Sequence, residues 1–460
     1  MQRRQFLSAS LTAAWGARRA LAANVDTPAA RILGASLADT QGWERLEHLC
    51  YSIGHRLSGS QALQQSVEWA ADLMRADGHQ NVELQPAKVN HWVRGQESLV
   101  EIEPVERPLN MLGLGMSVAT PPAGIEAQVV VVDSFEHLEA LGRENVAGKI
   151  VLYNAPFHGY GRTVGYRSAG ASRAAALGAV ASLVSSVASY SLSTPHTGAM
   201  RYADDAPKIP AAAVTVEDAR RYGYLAARGQ KIRLRLEMEA QTLPPADSAN
   251  PIGEIVGAEE PDKIVVFGGH IDSWDVGHGA HDDGAACVAA LQALNIIRAL
   301  GLRPRRTLRV ALWTNEENGL GGARAYREAL GDAVSNHYAA LEMDGGCERP
   351  SGFGMGFPDP DSPRAARALE QARALAAPLS AINAHTITKG GGGADIGPLM
   401  RSGVPGFGLR TEGGRYFEWH HTPADTLDKV DPDNFRRAIA TLGVFAYALA
   451  DMPGELGHED

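Results

Sequence analysis

Short uninterrupted apolar runs alternate, through the second half of the chain, with longer stretches in which apolar positions recur at helical spacing. Ile264, Val265, Val266 and Phe267 form one such run, rich in β-branched side chains and closed by Gly268 and Gly269, which predicts a strand buried on both faces of a parallel sheet. From Gly284 to Leu300, Val288, Leu291, Leu294 and Ile297 fall on one side of a helix that Gly301 and Pro304 stop. Leu308 to Trp313 repeats the first pattern, so strand, helix and strand make a crossover unit. Tyr338 to Met343 and Val404 to Arg410 predict two further strands. The expected fold class is α/β: a mixed, mostly parallel sheet sandwiched by helices.

The first half has a different texture. Residues 24–108 carry helical segments, among them Gln61 to Met74 with Leu63, Val67, Ala70, Leu73 and Met74 on one side, behind the turn His55-Arg56-Leu57-Ser58-Gly59-Ser60. Residues 109–246 read as a smaller α/β unit, with strands at Val129 to Val132, Lys149 to Leu152 and Ile209 to Val214 and a small-residue helix at Ala171 to Leu177. The last of these strands has no acidic cluster of the metal-binding kind at its end. The expected plan is therefore a discontinuous main domain, 24–108 and 247–455, interrupted by an insertion, 109–246.

The strands of the second half are different at their ends. GGHIDS (268–273) closes the first, HDDG (281–284) follows in the next loop, and NEEN (315–318) and EMDGG (342–346) lie at the ends of the next two. WHHTPADT (419–426) comes after the last. Ligands of open α/β sheets bind beyond the carboxyl ends of the strands, where separate loops converge. A hydrolytic zinc site needs imidazole and carboxylate ligands and an open position, and two metals about 3.5–4 Å apart share a bridging carboxylate and a hydroxide. His270, Asp282, Glu317, Asp344 and His421 supply that set, with Glu316 beside a ligand as candidate general base and Asp272 placed to accept the second N–H of His270. Singly, an HxD or an EE pair is an ordinary loop; the ordered series is what carries the reading.

In order and spacing, GGHIDSWDVGHGAHDDG, LWTNEENG, LEMDGG, GGGGADIGPL with GVPG, and HHTPADT resemble the co-catalytic zinc metallopeptidases of the carboxypeptidase Q and bacterial leucyl aminopeptidase type. The resemblance implies the zinc aminopeptidase, phosphorylase/hydrolase-like fold and two zinc ions. Asp282 would bridge them, His270 and Asp344 would hold one, and Glu317 and His421, rather than His420, the other. Glu316 would be the base and Asp272 the histidine orienter, and the bond between Asp282 and Asp283 would be cis. His278, His281 and Asp283 would flank the ligands. VAGKIVLYNAP and IPAAAVTVEDA resemble a protease-associated domain, the insertion many relatives carry. Gly390 to Gly393 lacks the Lys-Ser/Thr ending of a phosphate loop and is expected to let backbone approach the pocket, with Asp395 near the metals. Tyr416 is a candidate oxyanion partner.

Composition narrows the setting. The 460 residues carry a formal net charge of −10 and no basic footprint for nucleic acid. Cys50, Cys287 and Cys347 form no CxxC and suit core packing, although Cys347, close to Asp344, is a candidate for oxidation. Arg3-Arg4-Gln5-Phe6-Leu7, a mildly apolar stretch and Ala20-Leu21-Ala22 match a twin-arginine signal peptide over residues 1–22, and no later segment is apolar enough for a membrane helix. A periplasmic or secreted protein is expected. Its partners would be short peptide substrates and the export machinery, without nucleic acid or membrane and with a homodimer left open. A dipeptidase or aminopeptidase leads the functional readings, against a carboxypeptidase, a one-zinc glutaminyl cyclase and a binding protein without catalysis.

Overall fold

The computed structural model describes residues 27–458. The twin-arginine segment lies outside them. The main sheet has eight strands in the order Gln80–Val93, Gln241–Ile255, Arg306–Trp313, Glu260–His270, His337–Glu342, Gly406–Thr411, Pro350–Gly356, Thr386–Lys389. The four central strands run parallel, and the flanking strands bring in antiparallel pairs. Alternation across the pleat explains the unbroken apolar runs. Val265, Phe267, Val310, Leu312, Leu341 and Phe407 enter one core. Ile264, Val266, Ala311, Trp313 and Ala340 enter another on the opposite face.

Helices cover both faces. Ala285–Ala299, Pro432–Asp451, Gln61–Ala76 and Pro363–Ala376 pack on the first core, and Gly321–Leu330 and Gly397–Arg401 on the second. Helix Gln61–Ala76 starts where the Ser60 hydroxyl accepts the Leu63 N–H at 3.1 Å. Helix Pro432–Asp451 is capped by Asp431 and has proline at its first position, where no intrahelical donor is missed.

A second eight-stranded sheet is built between Glu97 and Met238, its central strands Ile125–Val132, Ile150–Tyr153, Ala181–Ser185 and Ala211–Val214 all parallel. Its edges fall elsewhere than the segment 109–246. Glu97–Glu103 and Arg107–Leu109 belong to it, while 241–246 lie in the long strand Gln241–Ile255, which pairs with Gln80–Val93 over most of its length. That hairpin-like pair carries the chain out of the main sheet and back. Alternation in these two strands is weak where both faces are wet, so their pairing was not legible in the apolar pattern.

The loop after His270 is one tie between the units. Trp274, from the loop after His270, is buried in the core of the second sheet with Trp92 and Leu57. Gly115 gives it room, because a side chain there would overlap the indole. Arg94 donates two hydrogen bonds to Asp275 in the same loop, at 2.8 and 2.5 Å, and a third to the Gly113 carbonyl at 2.5 Å. The sites described next sit at this junction.

Candidate metal centre

Parallel register brings the polar clusters level. His270 is paired with Trp313, so Glu316 and Glu317 follow just beyond, and Gly268 is paired with Glu342, which puts Asp344 beside His270. Asp282 and Asp283 precede helix Ala285–Ala299, whose N-terminal dipole favours negative charge there. The peptide bond between them is cis.

Asp282 stands at the centre. Its Oδ1 lies 3.2 Å from His270 Nε2, which is 3.6 Å from Asp344 Oδ1. Its Oδ2 lies 3.2 Å from His421 Nε2, which is 3.1 Å from Glu317 Oε2. One carboxylate therefore faces two donor groups, one oxygen to each. Among the described carboxylates His420 pairs with Asp282 alone, at 3.6 Å, and its ring stacks on His421 with centroids 3.5 Å apart. Asp282, His420 and His421 could also hold a cation as a trio. His421 is the better-directed donor, since its Nε2 meets two carboxylates, and a carboxylate such as Glu317 offers a cation more than a second neutral imidazole. Burial holds His420 well below the ordinary histidine range.

The donors fit a divalent cation. Asp282 Oδ2, Glu317 Oε1 and Asp283 Oδ1 are buried and accept no hydrogen bond. Burial pushes Glu317 up to about 7, the Asp282 charge adding to the effect and His421 opposing it. Glu316 is driven well above the usual carboxylate range by burial, with His270 opposing and Asp344 and Glu317 adding repulsion. Buried acids crowded this way are relieved by cations.

Asp272 departs from its expected role. The His270 Nδ1 hydrogen bond goes to the main-chain carbonyl of Asp272 at 2.9 Å, and the carboxylate is 3.8 Å away. That carboxylate instead accepts the N–H groups of Glu316 at 2.9 Å and Glu317 at 3.2 Å and the Ser58 hydroxyl at 3.2 Å. It holds the turn that aims both glutamates. Asn315 shapes the same turn at φ +67°, a left-handed conformation that asparagine tolerates, with its amide on Ser58 and Asn318.

Most of the supporting residues stand in or beside the motifs that carry the ligands. Asp425 accepts the N–H groups of His281 at 2.8 Å and Asp282 at 3.2 Å. Arg56 is fully buried and spends its guanidinium on the carbonyls of Gly54, Ile271, His278 and Gly279, which fixes the loop between His270 and Asp282. Asp283 accepts the His270 N–H at 3.1 Å, and Gly269 leaves it room. His281 accepts the Cys347 N–H at 2.9 Å, and burial lowers it to about 4, so it stays neutral. Cys347 is buried, with its thiol pushed up by burial, and does not suit a reactive role. Gly393 packs against the Glu342 carboxylate, which accepts the N–H groups of Ala394 and Ile396 at 2.8 Å. Asp395 between them is buried, and both of its carboxylate oxygens lack a hydrogen bond.

Imidazoles and carboxylates converging at the carboxyl edge of a parallel sheet, with a further glutamate at hand as base, make this the site of a metal-dependent hydrolase. Residues 250–446 match Peptidase family M28. The chain is 43% identical to Carboxypeptidase Q of Mus musculus over 412 residues, covering 90% of this chain and 86% of that protein. Its fold matches the Peptidase M28 precursor from Shewanella amazonensis SB2B with a TM-score of 0.86 at 32% identity, covering 93% of this chain and 97% of that one. It also matches BSAP, a zinc aminopeptidase from Bacillus subtilis, with a TM-score of 0.66 at 20% identity, covering 90% and 98%, a likeness of fold. The chain belongs to peptidase family M28 and is a metallopeptidase.

The two roles open to Asp272 separate experimentally. Asp272→Asn keeps one acceptor oxygen and places its amide NH2 against the other N–H donor, so turnover should fall while metal affinity holds; loss of metal with little change in turnover of the reloaded enzyme would return Asp272 to the histidine. Dialysis against graded zinc, followed by kinetics, reads both.

Proposed function

We propose that this protein is an exported exopeptidase of short peptides that works with two zinc ions, a dipeptidase or aminopeptidase. The observation that carries the reading is the division of Asp282, one oxygen toward His270 and Asp344, the other toward His421 and Glu317. His270 and Asp344 would hold one ion and His421 and Glu317 the other, with Asp282 common to both. When bound, zinc supplies a Lewis acid that polarises the scissile carbonyl and acidifies water at neutral pH. Cobalt or manganese suit similar donors.

Glu316 takes the proton of the attacking water and returns it to the leaving amine. Its backbone is pinned by Asp272, so its reach is set before substrate arrives. Bound cations favour its ionised form, opposing the burial that pushes its carboxyl upward. The Tyr416 hydroxyl, kept neutral by burial and by the charges of Asp282, Asp344, Asp283 and Glu317, is suited to donate to the developing oxyanion. A cavity of about 1290 Å³ adjoins the site, with Glu316 and Glu317 on one wall and Ser168, Met200, Tyr202 and Lys208 of the second unit on another. Substrate would lie between the units, the second of which we read as a protease-associated domain. Arg3 and Arg4 support twin-arginine export to the periplasm or beyond. Among the described residues no helix is long and apolar enough to cross a membrane.

Three outcomes are expected. Hydrolysis of matched dipeptides that are free, amino-blocked or carboxyl-blocked should require a free amino end, the free form alone being cleaved by a dipeptidase and the free and carboxyl-blocked forms both by an aminopeptidase. Preference for the amino-blocked form would make the enzyme a carboxypeptidase, and cyclisation of N-terminal glutamine would make it a transferase. Glu316→Gln should keep its metal and lose about 10²–10⁴-fold in turnover, whereas Glu317→Gln should lose metal affinity and regain part of its rate in excess zinc; rescue of the Glu316 variant by zinc would reverse the assignments. Replacing Arg3 and Arg4 by lysine should retain the precursor in the cytoplasm, and normal export of that variant would refute the route.

A further inference from the structure

The two histidines of the centre are held differently. His270 gives its Nδ1 proton to a carbonyl at the end of its own strand. His421 lies in a loop, at φ +61°, and its partner comes from the second unit. Thr197 binds it from both sides: the Thr197 N–H donates to the His421 carbonyl at 3.0 Å, and the Thr197 carbonyl accepts from His421 Nδ1 at 3.2 Å. That bond leaves the Nε2 lone pair facing Asp282 and Glu317.

The same Thr197 carbonyl accepts from Arg167 Nη1 at 3.3 Å, and Arg167 Nη2 donates to the Tyr160 hydroxyl at 2.8 Å. Arg167 is buried, and its Nη1 comes within 3.4 Å of His421 Nδ1. Two N–H groups thus converge on one carbonyl and fix its direction. The Thr197 segment is itself anchored inside the second unit. Its hydroxyl donates to the Gly113 carbonyl at 2.7 Å, and just after it the Gly115 N–H donates to the Gly198 carbonyl and the Met200 N–H to the Gly115 carbonyl, both at 3.0 Å. Gly198, at φ +138°, leaves the space that the guanidinium fills, since a Cβ there would overlap it.

We propose that Arg167 and Thr197 are positioning residues for His421, so that the second unit governs occupancy of one of the two metal positions and leaves the other alone. The proposal rests on the reading of His421 as a ligand of one zinc and His270 of the other. Partners that orient a ligating histidine typically change metal affinity by about 10–100-fold when removed. A unit that only covered the substrate would change neither position.

Zinc titration of the full chain against a competing chelator, with melting of the metal-free protein alongside, tests this on Arg167→Met, Arg167→Lys and Tyr160→Phe. The expected result for Arg167→Met is a loss of about 10–100-fold at one position, with the second unchanged and the metal-free melting temperature retained. Arg167→Lys, which can still reach the Thr197 carbonyl, should recover part of the loss, and Tyr160→Phe should show a smaller loss at the same position. Wild-type affinity at both positions in Arg167→Met and Tyr160→Phe, or equal weakening of both, would overturn the proposal. Should Arg167→Met not fold, the other two variants decide by the same criterion. A wild-type protein that binds a single zinc would overturn the two-metal reading itself.

Discussion

Burying negative charge at the head of the main sheet is the constraint around which the rest is organised. Asp282, Asp283, Glu317, Glu342, Asp395 and Asp425 are all buried, with Glu316 and Asp344 beside them. Two unit charges 4 Å apart repel by about 4 kcal/mol at an effective dielectric of 20, so such a group persists only with hydrogen bonds, protons or cations to offset it. The structure divides these means. Asp272, Glu342 and Asp425 each accept two backbone N–H groups. Asp282 Oδ2 and Glu317 Oε1 are left without a hydrogen bond, and His421 Nε2 faces Asp282 Oδ2 and the other Glu317 oxygen, Oε2. The carboxylates bonded to backbone hold the loops, and those left open are available to metal.

The parallel sheet makes that division workable. Its central strands end at one edge, so residues distant in sequence meet there without long excursions of chain. Arg56 then satisfies the Ile271 and His278 carbonyls of the loop after His270 and shares the Gly279 carbonyl with the Gly284 N–H. The second unit enters the same region from the other side. Trp274 inserts into its core, and Thr197 and Arg167 reach back to His421. The site is an interface between two sheets more than a pocket in one.

The sequence by itself determined the central strands, the helix after Asp283 and the residues that converge. Those strands are buried on both faces, which demands continuous apolar runs that no wet strand needs, and their polar ends stand out against such runs. The long strands Gln80–Val93 and Gln241–Ile255 left no such trace, because exposed and half-buried positions run through the first and through the opening part of the second, and their pairing joins residues far apart in the chain. Roles within the site followed the same rule. The residue types named the chemistry, but hydrogen bonding decided which atom serves which neighbour. Only the tertiary structure moved the Asp272 carboxylate from His270 to the Glu316 turn, gave Asp425 the backbone of Asp282, and placed Thr197 against His421, since each depends on where a main-chain N–H or carbonyl points once distant segments have packed.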